Sequence, residues 1–395
     1  MEGIASSSAI GALSVRENAR IDTADAARPR ARYDSVDVLR GITVGAMVVV
    51  NNPGNWTDGY RMLAHAEWNG WTLADLVFPS FLFIVGVSIT ISLGRKIRSG
   101  EGSSTIAAML LRRVVILFAL GLFLNAFPDF DLATLRIPGV LQRIAVCYGA
   151  AGFLFLGTEK RYHALSASML LLAYWALMSF VPVPGHGAGA LAEQANLAAY
   201  VDDACLHGHL LHESWDPEGI LSTLPAIATV LLGVLAGEWM QSATRPAASS
   251  LGLIAAGTMG IIAGELVDPW FPINKQLWTS SFVLFTGGIT AVLLGLCQWL
   301  IEGKGLRRWA IPFLVLGTNA LGVYLLSSLV ASMLEHITVT SALGAVEGLR
   351  LYLFERLFLP WAGPRAGSLL FAITYLFAWL AAMTLLYRRR VFLRV

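Results

Sequence analysis

The stretch LAHAEWNGWTLADLVFPSFLF, residues 63–83, sets one histidine, two carboxylates and two indoles against the start of an apolar run. An imidazole such as His65 can serve as general base or nucleophile, and a neighbouring carboxylate fixes its tautomer and raises its basicity. Glu67 and Asp75 are the carboxylates in reach. The indole faces of Trp68 and Trp71 suit the apolar faces of a sugar ring, with Asn69 as a polar contact. Asp75 falls just inside the apolar run, where an ionisable side chain is costly and marks function by default. It would also serve as a helix N-terminal charge, favourable by up to about 1 kcal/mol. His65 taken alone would equally be a structural residue of a re-entrant loop.

Other polar groups gather at the ends of apolar segments. In VVVNNPG, Asn51 either caps frayed carbonyls or donates to an oxygen that gains charge in a reaction. In SVDVLRG, Asp37 and Arg40 are one turn apart, an intrahelical ion pair or an anchor for a phosphate. RIPGVLQRIAVCY carries Arg136 and Arg143; Arg143 enters the apolar region and needs a partner, either Asp75 or Asp37 or an anionic ligand. DPEGILSTLPA offers Asp216 and Glu218, and FPINKQLWTSSF offers Asn274, Lys275 and Trp278. Three polar helix mouths on one side suggest a shared substrate pocket. Asn319 in GTNALGVY is interhelical glue or pocket lining.

These residues must be positioned by membrane helices. The 395-residue chain is 56% hydrophobic and 14% charged, with mean hydropathy +0.64. Ten segments are apolar enough to cross about 30 Å of hydrocarbon: 38–52, 73–93, 106–125, 140–156, 165–181, 220–239, 251–267, 278–300, 311–334 and 367–387. They show no barrel-type alternation, so the fold class is an all-α polytopic membrane bundle. With both termini cytoplasmic, 21 of the 28 Lys and Arg fall on the cytoplasmic side, the expected bias. His65, the 182–219 loop and the Pro272–Lys275 turn then face outward.

Residues 1–34 are Ala-, Ser- and Arg-rich without an apolar core and read as a disordered cytoplasmic tail preceding a 35–395 membrane domain. The outer loop 182–219 holds His186, His207, His209 and His212 among carboxylates, but HGHLLHE has no zinc spacing and reads as solvated loop. The outer loop 335–365 reads as an amphipathic interfacial helix. Three cysteines form no disulfide or metal framework, and no nucleotide loop or nucleic-acid module is present. The expected setting is a cell inner membrane, and a homodimer is left open.

Together, SVDVLRG, VVVNNPG, HAEWNGWTLADLVFPSFLFIVGVSI, RIPGVLQRIAVCY, DPEGILSTLPA, PINKQLWTSSFVL and GTNALGVYLLSS resemble the heparan-alpha-glucosaminide N-acetyltransferase family and its bacterial relatives, over nearly everything from Ser35 onward. The resemblance implies a catalytic role for His65, with Asn51 and Asp75 also matching site positions. It implies acetyl transfer from cytoplasmic acetyl-CoA to the amine of a glucosamine unit bound outside. A short tail stands where animal members carry a large outer domain, so the expected acceptor is a small amino sugar or cell-wall sugar. His65 would take the acceptor's proton or carry the acetyl group itself, Asn51 would donate to the thioester oxygen, and Asp75 would orient His65 or hold the sugar. Trp68, Asn69, Arg143, Asp216, Glu218, Asn274, Lys275 and Trp278 are the candidate sugar contacts. Arg40 and Asn319 are candidate contacts for CoA, whose phosphates would meet Arg95, Lys96, Arg112, Arg113, Lys160 or Arg161. A proton-coupled sugar transporter and a sugar O-acetyltransferase are the competing readings.

Overall fold

The computed structural model describes residues 33–57, 59–340 and 346–391. The N-terminal tail lies outside them. Helices occupy all ten expected spans: α1 (Asp34–Asn51), α2 (Leu73–Arg98), α3 (Ser103–Ala126), α4 (Val140–Gly157), α5 (Lys160–Phe180), α7 (Thr223–Ser242), α8 (Pro246–Val267), α9 (Ser280–Gln298), the pair α10 (Ile311–Thr318) and α11 (Ala320–His336), and α13 (Leu359–Arg388). Among the described residues, eight are individually long and apolar enough to cross a membrane, and α10 with α11, bent by 69° at Asn319, makes a ninth. The tenth, α1, carries Asp34, Asp37 and Arg40, which dilute its apolar character. The chain is a multi-pass, all-α membrane protein.

The two long loops are more structured than their sequences suggest. Loop 182–219 contains a helix, α6 (Leu197–Leu206), N-capped by Asn196, which accepts from the Ala199 N–H. Its Asp202 and Asp216 are buried, so the part around α6 and residues 215–219 is packed, while His186, His207 and His212 stand exposed as expected of a solvated loop. Loop 335–365 is not one interfacial helix. It forms a hairpin of β1 (Thr338–Thr340) and β2 (Val346–Gly348), then α12 (Leu349–Leu357) and the start of α13.

Backbone-to-backbone helix contacts set the frame. A Cβ built on Gly86 of α2 would lie 1.9 Å from the Val230 carbonyl oxygen, and one on Gly233 of α7 would lie 1.9 Å from that of Phe83. Gly41 of α1 and Gly317 of α10 meet in the same manner, each Cβ falling 1.8 Å from the partner helix's carbonyl. Lipid supplies no hydrophobic drive between helices, so such close approach, with its dispersion gain, carries association. Arg40 reinforces it, donating to Asp37 (2.7 Å), Ser88 on α2 (2.7 Å) and the Gly317 carbonyl (3.4 Å).

Gly86→Val should therefore cost at least about 1–3 kcal/mol by forcing α2 from α7, whereas Gly157→Ala, with open space around it, should be near neutral. Thermal unfolding in detergent checks this; equal midpoints for the two variants would remove the close-contact argument.

Candidate active site

The site grows from the start of α2. Thr72 is the N-cap, and Asp75, three residues on, reaches back to accept the Thr72 N–H at 3.0 Å, a capping box. The same Oδ2 accepts the Ala66 N–H at 3.0 Å, while the Thr72 hydroxyl donates to the Ala64 carbonyl at 2.7 Å. The cap thus pins the backbone on both sides of His65. Asp75 Oδ1 lies 2.7 Å from His65 Nδ1. A carboxylate only accepts, so Nδ1 carries the proton in this contact, and the neutral form of the ring presents its lone pair at Nε2. Asp75 is fully enclosed, while 44% of the His65 side chain is exposed.

A second turn brings the cation. Gly70, at φ +93°, pairs with the Ile273–Asn274 strand: its N–H donates to the Ile273 carbonyl at 2.8 Å, and Asn274 Nδ2 donates to Asn69 Oδ1 at 3.1 Å. Asn274 Oδ1 accepts the Leu277 N–H, and Asp268 accepts the Ile273 N–H. The turn so held sets Lys275 Nζ 2.9 Å from His65 Nδ1, 3.1 Å from Nε2 and 3.5 Å from Asp75 Oδ1. Burial lowers the Lys275 ammonium below the ordinary lysine range, against the opposing pull of Asp75 and Glu218.

The other expected residues separate into groups. Asn274 and Trp278 are buried framework: the Trp278 N–H donates to Thr229, and Phe78, Phe282 and Arg143 pack around its ring. Trp68 donates to the Leu191 carbonyl and packs edge-on against Trp215. Arg143 pairs with neither Asp75 nor Asp37; it donates to the Gly219 carbonyl and Ser222, and among the described residues its Nε and Nη1 make no hydrogen bond. Asp216 and Glu218 are both held by Arg136, the former through two bonds of 2.7 and 2.8 Å. Arg136 is the central cation of that cluster, and the sequence singled it out only as a neighbour of Arg143.

Asn51 is exposed at the end of α1, and among the described residues its amide makes no hydrogen bond to His65, Asp75 or Lys275. A shallow, solvent-open cleft nearby is lined by Val49 and Val50 of α1, by Leu63 and Ala64, and by Arg365 and Ser368 of α13; neither Asn51 nor His65 is among its lining residues. Asn319, at the α10–α11 bend, donates to the Val391 carbonyl and is buried. Among the described residues no cluster of three His, Cys, Asp or Glu is placed to hold a metal.

The fold and site define a multi-pass membrane protein whose histidine–carboxylate pair sits at one end of its bundle. The chain belongs to the heparan-alpha-glucosaminide N-acetyltransferase catalytic family, whose model matches residues 32–265, from α1 through most of α8. It is 31% identical over 356 residues to the Homo sapiens heparan-alpha-glucosaminide N-acetyltransferase, covering 75% of this chain and 52% of that protein. The Mus musculus counterpart is 30% identical over 353 residues, 74% and 53% of the two chains. The chain thus spans about half the length of the curated relatives it matches.

The packed 202–219 segment generates a pH prediction. Burial pushes the Asp202 carboxyl up to about 6, even though it accepts the Ile220 and Asp216 N–H groups. The folded protein therefore holds this proton more tightly than the unfolded chain does. Its contribution to stability is full below the ordinary carboxylate range and is lost as pH rises through about 6, by up to about 3 kcal/mol. Relative to Asp202→Asn, the wild-type thermal midpoint should fall between pH 4 and pH 7; parallel curves would refute the assignment.

Proposed function

We propose that this protein is a membrane acetyltransferase that moves acetyl from acetyl-CoA to the amine of a small glucosamine-type sugar, acting in a cell inner membrane with the sugar on the outer side. The observation that carries the reading is the 2.7 Å contact between His65 Nδ1 and Asp75, made within the part of the chain that matches the catalytic family. The 21-of-28 bias of Lys and Arg supports the sidedness.

In this reaction Asp75 fixes the imidazole and leaves Nε2 to take a proton from the acceptor amine as it attacks the thioester carbonyl. The proton then leaves with the CoA sulfur. Asn51, exposed at the end of α1, would donate to the oxygen as it becomes an oxyanion. A variant of the same chemistry has Nε2 attack first and hold the acetyl group as an acyl-imidazole, useful where donor and acceptor approach from opposite sides. Glu218, anchored by Arg136, and the exposed Asn69 would bind the sugar's hydroxyls, with the enclosed Asp216 holding Arg136 in place behind them. Acetyl-CoA would reach the site from the opposite end of the bundle, where Arg95, Arg112 and Lys160 are exposed to meet its phosphates. Arg40 and Asn319, committed to interhelical hydrogen bonds, would shape that path more than touch the nucleotide.

His65→Ala should abolish acetyl transfer from labelled acetyl-CoA to glucosamine in a protein that still folds, with the thermal midpoint lowered only modestly because Lys275 and two backbone N–H groups still hold Asp75. Near-normal turnover in the folded variant would end the catalytic assignment. Asn51→Ala should cost roughly 10²–10³ in turnover. An unchanged turnover with weakened sugar affinity would make Asn51 a binding residue. In sealed vesicles of known orientation, acetyl-CoA on the cytoplasmic face and glucosamine on the other should give acetylated sugar on the outer side. Product formed only when both share the cytoplasmic face would overturn the topology.

A further inference from the structure

Lys275 places a primary amine where the acceptor's amine is required. It lies over the imidazole, 2.9 Å from His65 Nδ1 and 3.1 Å from Nε2, so a small swing of the side chain brings it to Nε2, the nitrogen that carries the lone pair of the neutral ring, within the reach of a nucleophile and its base. Its flexible four-carbon stem lets Nζ move over the ring, and burial favours the free amine. The chain has three other lysines, Lys96, Lys160 and Lys304, at the C-terminal end of α2, the start of α5 and just beyond α9. None shares this site, because His65 and Asp75 lie at the other end of α2 and Lys275 precedes α9.

We propose that Lys275 is itself an acetyl acceptor, a self-modification site that competes with the sugar amine for the acetyl group delivered at His65. The inference rests on His65 as the transfer centre and on acetyl-CoA as donor. The Lys275 amine attacks the thioester carbonyl; the C–N bond forms and the C–S bond breaks. His65 Nε2 accepts the proton from the amine and returns it to the departing sulfur. The products are Nε-acetyl-Lys275 and CoA thiol, with no further reactant. The amide is stable, so each chain takes one acetyl group, and the modification removes the positive charge beside the imidazole. With acceptor absent, the enzyme would convert itself to this form; with acceptor present, the sugar would intercept the acetyl group.

The test is to incubate the purified full-length protein in detergent with labelled acetyl-CoA and no sugar, then locate the label by peptide mass spectrometry. Lys275 should gain one acetyl group at least about 10²-fold faster than Lys96, Lys160 or Lys304, which report uncatalysed acetylation. His65→Ala should bring Lys275 down to the rate of the other three, and excess glucosamine should suppress its labelling. Labelling of Lys275 no faster than theirs, or as fast in His65→Ala, would overturn the proposal. Sugar acetylation measured on the same preparation separates the two readings. Acetylated sugar with unmodified Lys275 defeats the self-modification alone; acetylated Lys275 without acetylated sugar defeats the acceptor assignment and leaves the modification standing. Neither product defeats both.

Discussion

One buried carboxylate organises this end of the molecule. An enclosed anion is costly unless it is paired and hydrogen-bonded, and Asp75 meets that demand by collecting the N–H groups of Ala66 and Thr72, the His65 ring and the Lys275 ammonium. These four partners come from three pieces of chain, so satisfying the charge fixes the helix start, the loop before it and the turn before α9 together. The imidazole's orientation is a consequence of the same requirement. A change at Asp75 would release three segments and not merely one contact.

The frame beneath the site meets a different constraint. Along α1–α10 and α2–α7 the helices touch at glycine, leaving almost no room for relative sliding. That rigidity lets a loop site be precise, because α2 carries Asp75 and α7 carries Thr229, to which the Trp278 indole is tied. Trp278 sits at φ +53°, an uncommon backbone state for a bulky residue, and is held there by the packing of Phe78 and Phe282 around its ring. The Lys275 turn is therefore positioned from below by the core as well as from above by Asn69 and Gly70.

The membrane helices were legible because length and apolarity report burial in lipid directly, and α1 was legible despite its charges because SVDVLRG keeps helical spacing. His65 and Asp75 were legible as a pair because the capping box at Thr72–Asp75 is local: the same three-residue spacing that starts the helix turns the carboxylate back toward His65. Trp278 and Asn274 appeared as pocket residues because sequence shows a polar or aromatic group at a helix mouth without showing which way it faces. Arg143 could have met Asp75, Asp37 or an anionic ligand, and its bonds to Gly219 and Ser222 span 76 and 79 residues, a pairing that no local pattern encodes. The Arg136 cluster and the buried His163–Glu238 pair between α5 and α7 are long-range in the same sense. Within the 182–219 loop the exposed histidines fit a solvated segment, but Asp202 and Asp216 do not, because they are buried acceptors of backbone N–H groups.

The crowding of charge at His65 constrains how any amine can enter. Asp75 Oδ1 already faces Lys275 Nζ at 3.5 Å, and its Oδ2 is occupied by backbone donors. A second ammonium arriving at Nε2 would meet Lys275 at close range, where like charges repel strongly in a poorly solvated setting. An incoming acceptor must therefore arrive as the free amine, displace Lys275 toward Glu218, or find Lys275 uncharged. Each route couples acceptor binding to the protonation of Lys275, so that side chain acts as a gate on the amine whether or not it ever receives the acetyl group. Hydroxyl acceptors would face no such repulsion, so the Lys275 charge would work against amine acceptors unless it is lost or moved. Burial works toward that loss, lowering the Lys275 ammonium below the ordinary lysine range against the pull of Asp75 and Glu218.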